Sequence, residues 1–192
     1  MRKFKMVKRS VCVFISGKGT NLNNLIKRSR DYNFPINVKL VISNKKDALG
    51  IKYAKKNSIP FIFINTKHKR YENLVLNKLK EFKIELICLA GFMKIISKKF
   101  LRSYRKKIIN IHPSLLPKYR GLNTFEKVLK NQDAKTGCTI HYVNEKLDAG
   151  KIIVQKRINV DKKDNIITLK KKTQKLEYLA YPEAVIKIFR NC

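Results

Sequence analysis

Asn110 and His112 stand two residues apart in the run Asn110-Ile-His112-Pro113-Ser-Leu-Leu-Pro117, and Leu147-Asp148-Ala-Gly150 follows downstream. On an extended segment successive side chains alternate faces, so the carboxamide and the imidazole point to the same side. One substrate atom can then meet both. The amide is a hydrogen-bond donor, the imidazole exchanges a proton near neutral pH, and a carboxylate such as Asp148 is expected to raise the His112 pKa by favouring its charged form. Those are the parts needed to stabilise an oxyanion during acyl transfer. An apolar run leads into His112 and Pro113 follows it, which keeps the segment extended up to a strand end. Asp148 alone also reads as a turn aspartate before glycine.

A second feature is Ser16-Gly17-Lys18-Gly19-Thr20-Asn21-Leu22, directly after an apolar run. Strand, glycine turn and helix start together make an anion site, because the first amides of a helix are unpaired and the dipole favours negative charge. Thr20 and Asn21 can add side-chain donors or cap the helix. A Cβ at Gly19 is expected to block close approach of a phosphate. The pattern is neither GxGxxG nor GxxxxGK followed by Ser or Thr, so a dinucleotide fold and a P-loop both fit poorly.

The elements that must position these residues alternate along the chain. Apolar, β-rich runs at 10–16, 38–43, 60–64, 86–90 and 108–112 predict strands. Helical spacing appears in Leu22-Leu25-Ile26, over 48–56, over 71–82 and over 100–104. After Ser114 the rhythm changes to a helix near 125–129 and two antiparallel edge strands at 139–143 and 151–160. A last helix over about 166–189, bent near Pro182, closes the pattern. This predicts an α/β fold with an open, mostly parallel Rossmann-like sheet, helices on both faces and antiparallel edge strands near the C-terminus. Such sheets bind ligands beyond the carboxyl ends of their strands. No repeat, linker or composition break appears, so one domain over 1–192 with a basic tail at 1–9 is expected.

Together with Ala90-Gly-Phe-Met-Lys-Ile95, Lys118-Tyr119 and Gly137-Cys-Thr-Ile-His-Tyr-Val143, these motifs resemble the phosphoribosylglycinamide formyltransferase family over nearly the whole chain. The resemblance implies the formyltransferase fold and transfer of a formyl group from 10-formyltetrahydrofolate, as co-substrate, to the amine of phosphoribosylglycinamide in purine biosynthesis. It implies no metal. By this match Asn110, His112 and Asp148 take the catalytic positions, Gly19, Thr20 and Asn21 the substrate-phosphate positions, and Glu177 a contact to the glycinamide ribotide. Met93, Lys94, Ile95 and Ile96 fall on the folate side, where backbone groups hold the pterin, and Asn110 belongs there too. His141 sits near the reacting centre on the folate side. A basic folate contact falls among Lys67, His68 and Lys69, although His68 alone reads as a surface loop residue. Leu89, Phe92 and Ile95 read as core or pocket wall by packing. Lys18 and Arg120 depart from the family pattern without touching the proposed chemistry. The Arg120-Gly121 pair is closer to the sister family, methionyl-tRNA formyltransferase, which shares the Asn, His and Asp trio. That family lacks the Gly-rich loop and needs a C-terminal tRNA-binding domain, which is not expected here, where the chain ends after one helix.

At 192 residues the chain suits a domain able to bury a full core. No apolar run reaches the roughly 18 residues of a membrane span, and 11–15 is too short for a signal segment. The four cysteines form no pair or Cys/His cluster, which suits a reducing cytoplasm. The net charge of +32 raises the alternative of a non-enzymatic RNA- or polyanion-binding α/β protein. Lysine, however, is spread over every segment with no Arg-rich, aromatic-interleaved stripe, which reads as a solvated surface. Small-molecule partners, no specific nucleic acid, no membrane, and a monomer or homodimer are expected.

Overall fold

The computed structural model describes residues 7–190. Seven strands, β1 (Arg9–Ile15), β2 (Ile36–Ser43), β3 (Phe61–Phe63), β4 (Leu86–Leu89), β5 (Lys107–His112), β6 (Lys135–Tyr142) and β7 (Ile152–Asn159), lie in the order β3-β2-β1-β4-β5-β6-β7. Six helices connect or follow them: α1 (Thr20–Ser29), α2 (Ile51–Lys56), α3 (Tyr71–Glu81), α4 (Lys98–Tyr104), α5 (Thr124–Lys130) and α6 (Ile166–Arg190). The expected α/β class with antiparallel strands at the C-terminal edge is what the strands form. The chain divides into two compact units, one running to Ile108 and resuming at Phe189, the other Ile109–Ile188. Most of the predicted basic tail lies outside the described residues, and Arg9 already belongs to β1.

In the first unit β1 pairs in parallel with β2 and β4, and β2 with β3. Val11 to Ile15 are buried without alternation, as strands covered on both faces require. Helix α1 buries Asn21, Leu22, Leu25 and Ile26, one stripe of a 3.6-residue repeat, and carries Lys27 and Arg28 in its last turn where they complement the dipole. Chain order runs outward from β1 to β3 and returns on the other side at β4, so the strand order reverses at β1. Ligands of open sheets gather at such a reversal.

In the second unit β6 pairs antiparallel with both β5 and β7. Strand β6 begins at Lys135, four residues before the predicted start at 139. Glycine is required at Gly137: a Cβ would overlap the Lys156 carbonyl oxygen of β7 and reach Leu115 Cδ2 at 2.9 Å. Helix α6 is one element with Pro182 inside it. Gly137→Ala should therefore break β6–β7 pairing and cost about 3 kcal/mol or more. Urea unfolding checks this, and a loss under about 1 kcal/mol would mean that the two strands can separate cheaply.

Candidate active site

Strand β5 carries Asn110 and His112 on one face, as alternation predicts, and its antiparallel register sets Asn110 opposite His141 and His112 opposite Thr139. Cross-strand neighbours are close enough to interact directly. Asn110 Nδ2 lies 3.2 Å from His141 Nε2 and donates to Asp148 Oδ1 at 3.4 Å. His141 Nδ1 sits 2.9 Å from the Tyr142 carbonyl oxygen, an acceptor that favours a proton on Nδ1, while Nε2 faces Asn110 and Asp148. His112 Nδ1 is 3.3 Å from Asp148 Oδ2 and its Nε2 is 2.8 Å from the Tyr119 carbonyl oxygen. Asp148 Oδ2 also accepts from Gly121 N at 2.9 Å, and Oδ1 lies 3.6 Å from His141 Nε2. The trio expected from sequence is brought together, with His141 as its fourth member.

Burial makes this cluster electrostatically tense. His112 is 5% exposed, and burial pulls its pKa below the usual imidazole value, against the upward push of the Tyr119 carbonyl and of Asp148. Asp148 was expected to raise that pKa; it pushes that way, but desolvation outweighs it. Only the doubly protonated ring satisfies both His112 contacts, since each faces an acceptor. Asp148 is also penalised by burial. The hydrogen bonds from His141 and Gly121 and the nearby charge of His112 nevertheless hold its carboxyl below the usual range.

Sequence reasoning missed the backbone partners, Tyr119 O and Gly121 N, because carbonyls and amides leave no residue-type signal. It also missed what holds their loop. Ser114 Oγ donates to Lys118 O at 2.6 Å, and Thr139 Oγ1 donates to Ser114 O at 2.7 Å and accepts from Leu116 N at 3.1 Å. Gln155 Nε2 donates to Leu116 O and to Thr139 Oγ1, each at 2.9 Å. Tyr119 and Asp148 sit at φ 57 and 46, left-handed values uncommon for non-glycine residues and frequent at functional sites.

In the first unit Gly19, not Thr20 or Asn21, is the N-cap of α1, at φ 68. Thr20 opens the helix and Asn21 is buried. A Cβ on Gly19 would lie 2.5 Å from Gly50 Cα, and Gly50 N donates to Gly17 O at 2.9 Å. The fold therefore needs glycine here before any ligand arrives, which changes the expected reason for it. The first turn of α1 holds no acidic residue, and the positive end of a helix dipole suits an anion. Met93 and Ile95 are 65% and 70% exposed. Ile95 is thus not core, Leu89 is buried, and Phe92 packs edge-on against Phe14 at 5.2 Å. Lys94 is exposed and Ile96 half-buried. His68 is exposed, its Nδ1 accepting from Arg70 N at 3.3 Å, and Lys67 and Lys69 are exposed too. It lines a cavity of ≈ 550 Å³ floored by Ile42, Ile64 and Val75, and none of Met93 to Ile96 lines that cavity.

Glu177 is half-exposed on α6. Burial and the nearby Glu177 push the Cys138 thiol of β6 up to about 12. Cys12, Cys88 and Cys138 are buried free thiols. Among the described residues no helix is long and apolar enough to cross a membrane, and no group of three or more His, Cys, Asp or Glu is placed to hold a metal.

The profile of a family described as formyl transferase matches residues 9–185. The chain is 39% identical over 185 residues to the phosphoribosylglycinamide formyltransferase of Haemophilus influenzae, covering 94% of this chain and 87% of that protein. It is 40% identical over 188 residues to the human trifunctional purine biosynthetic protein adenosine-3, covering 95% of this chain but spanning only 18% of that longer protein. Among solved structures, the phosphoribosylglycinamide formyltransferase of Anaplasma phagocytophilum superposes with a TM-score of 0.90 at 38% identity, over 95% of this chain and 87% of that one. The Bacillus halodurans enzyme of the same name gives 0.89 at 36% identity, over 94% and 95%.

A carboxyl whose folded pKa is depressed adds stability above its unfolded value of about 3.9 and loses it as pH falls through the folded one. Asn tolerates the positive φ at position 148, so Asp148→Asn removes charge without backbone strain. The gap in Tm between wild type and Asp148→Asn should narrow between about pH 5 and pH 3. A gap that stays constant over that range in thermal melts would show that the carboxylate is not held in its charged form by the fold.

Proposed function

The chain belongs to the formyl transferase family, and from that premise we propose that it transfers a formyl group from 10-formyltetrahydrofolate to the amine of phosphoribosylglycinamide, giving phosphoribosyl-N-formylglycinamide and tetrahydrofolate in purine biosynthesis. The observation that carries this reading is the buried carboxylate of Asp148 gathered with Asn110 and His112. One family profile running over 9–185 supports treating the two units as a single formyltransferase domain. Three buried free thiols suit a reducing, cytoplasmic setting.

The neutral glycinamide nitrogen attacks the formyl carbon, and the formyl oxygen becomes negative as the tetrahedral intermediate forms. The long Asn110 contacts, 3.2 and 3.4 Å, are readily surrendered, so one of its N–H groups turns to that oxygen. His112 supplies positive charge beside it when protonated, and Asp148 supports that protonated form. Collapse breaks the bond between the formyl carbon and the folate nitrogen. The proton lost by the attacking amine ends on that nitrogen, with Asp148 the base nearest in chemistry to relay it. The amides of Gly19, Thr20 and Asn21 take the substrate phosphate. Glu177 contacts the glycinamide ribotide, the backbone of Met93 to Ile96 holds the pterin, and His141 and His68 lie on the folate side. No metal takes part in this scheme.

Purified protein, given both substrates, should yield the formylated ribotide by mass spectrometry. His112→Ala should lower turnover roughly 10²- to 10⁴-fold with its circular dichroism unchanged. Full turnover in folded His112→Ala would remove His112 from the chemistry. Absence of transfer by wild type, with RNA binding that survives physiological salt, would favour the polyanion-binding reading instead.

A further inference from the structure

Ser16 lies just past the end of β1, where the strand order reverses, and is 4% exposed. Its amide donates to Gly91 O at 3.1 Å. Its hydroxyl donates to Asn44 Oδ1 at 2.5 Å and accepts from Met93 N at 2.7 Å. Asn44 follows β2 and Gly91 to Met93 follow β4, so segments leaving three parallel strands meet on one residue. A hydroxyl suits this place because it gives one hydrogen and accepts another at once.

The segment fastened there has an unusual build. Its stem is tied by both Ser16 bonds and by the Phe92 ring against Phe14, while Met93 and Ile95 stand largely in solvent. Two large exposed apolar side chains on a fixed backbone form a ready surface for an apolar ring system. Loss of the Met93 anchor would free backbone that must then be ordered on binding, and that ordering is subtracted from affinity.

We propose that Ser16 is a positioning residue for the folate co-substrate: acting through Met93 N, it presets the 93–96 backbone. This rests on the reading of 93–96 as the folate side. It predicts an effect on one substrate only, because the phosphate loop beginning at Gly17 is braced separately, by Gly50.

The test is steady-state kinetics in both substrates, with amide hydrogen exchange over 91–95 as a readout that needs no turnover. Ser16→Ala should raise KM for 10-formyltetrahydrofolate about tenfold, the scale of one lost hydrogen bond. KM for phosphoribosylglycinamide should stay within about twofold, and exchange at 91–95 should quicken. Asn44→Ala removes the other partner of the hydroxyl but leaves the Met93 bond, so it should lower Tm while sparing folate KM. Ser16→Cys, close in size with a weak acceptor, should shift KM and exchange in the same direction and serves if the alanine variant does not fold. The proposal is overturned if Ser16→Ala leaves folate KM and exchange unchanged, raises both KM values alike, or is matched by Asn44→Ala. A wild-type protein without folate-dependent turnover would sink the functional reading, and exchange would still decide whether Ser16 orders the segment.

Discussion

A carboxylate with a side chain only 8% exposed, that of Asp148, sets the terms for the second unit. A buried charge is tolerated only when it is paired and hydrogen-bonded. Asp148 meets that requirement with the Gly121 amide, the Asn110 carboxamide and two imidazoles at their edges. These partners come from three stretches: Gly121 from the loop after β5, Asn110 and His112 from β5 itself, and His141 from β6. The carboxylate therefore fixes the register in which these pieces are useful. It also pushes His112 toward its charged form, as the Tyr119 carbonyl does, against a burial that favours the neutral ring and outweighs them. A group poised between those demands changes charge readily when a negative oxygen forms beside it, which is what acyl transfer asks of it.

The loop over 114–121 supplies the remaining constraint. Its carbonyl at Tyr119 and amide at Gly121 face His112 and Asp148, and backbone groups aim correctly only if the loop is rigid. Ser114, Thr139 and Gln155 provide that rigidity with buried or part-buried side-chain bonds to its carbonyls and to the Leu116 amide. Polar networks of this kind are costly when half-satisfied and specify one conformation when complete. The left-handed conformations of Tyr119 and Asp148 are local costs borne within that network.

Much of this was legible in the residues. The two-residue spacing of Asn110 and His112 follows from strand alternation alone, and the alternation of strand and helix predicts the α/β class. The resemblance supplied Asp148, since no spacing rule links it to His112. What stayed hidden depends on approach between distant backbones. Strand β6 extends back through Gly137 because β7 passes too close for a side chain, and a lone glycine cannot announce that. Gly19 is demanded by Gly50 as well as by its own φ, so its reading as a ligand-clearance glycine was incomplete. Ile95, which reads as core or pocket wall, is largely exposed, so it does not belong to the core. The direction of the His112 pKa also needed burial, which sequence does not state.

The carboxylate's hold on His112 is tested most directly by the pH dependence of kcat in wild type and Asp148→Asn. If the imidazolium is the working form, kcat falls as pH rises through the His112 pKa. Removing the carboxylate leaves burial less opposed, so that fall should move to lower pH, with lower turnover at neutral pH. Superimposable profiles at equal turnover would contradict the central role assigned to Asp148.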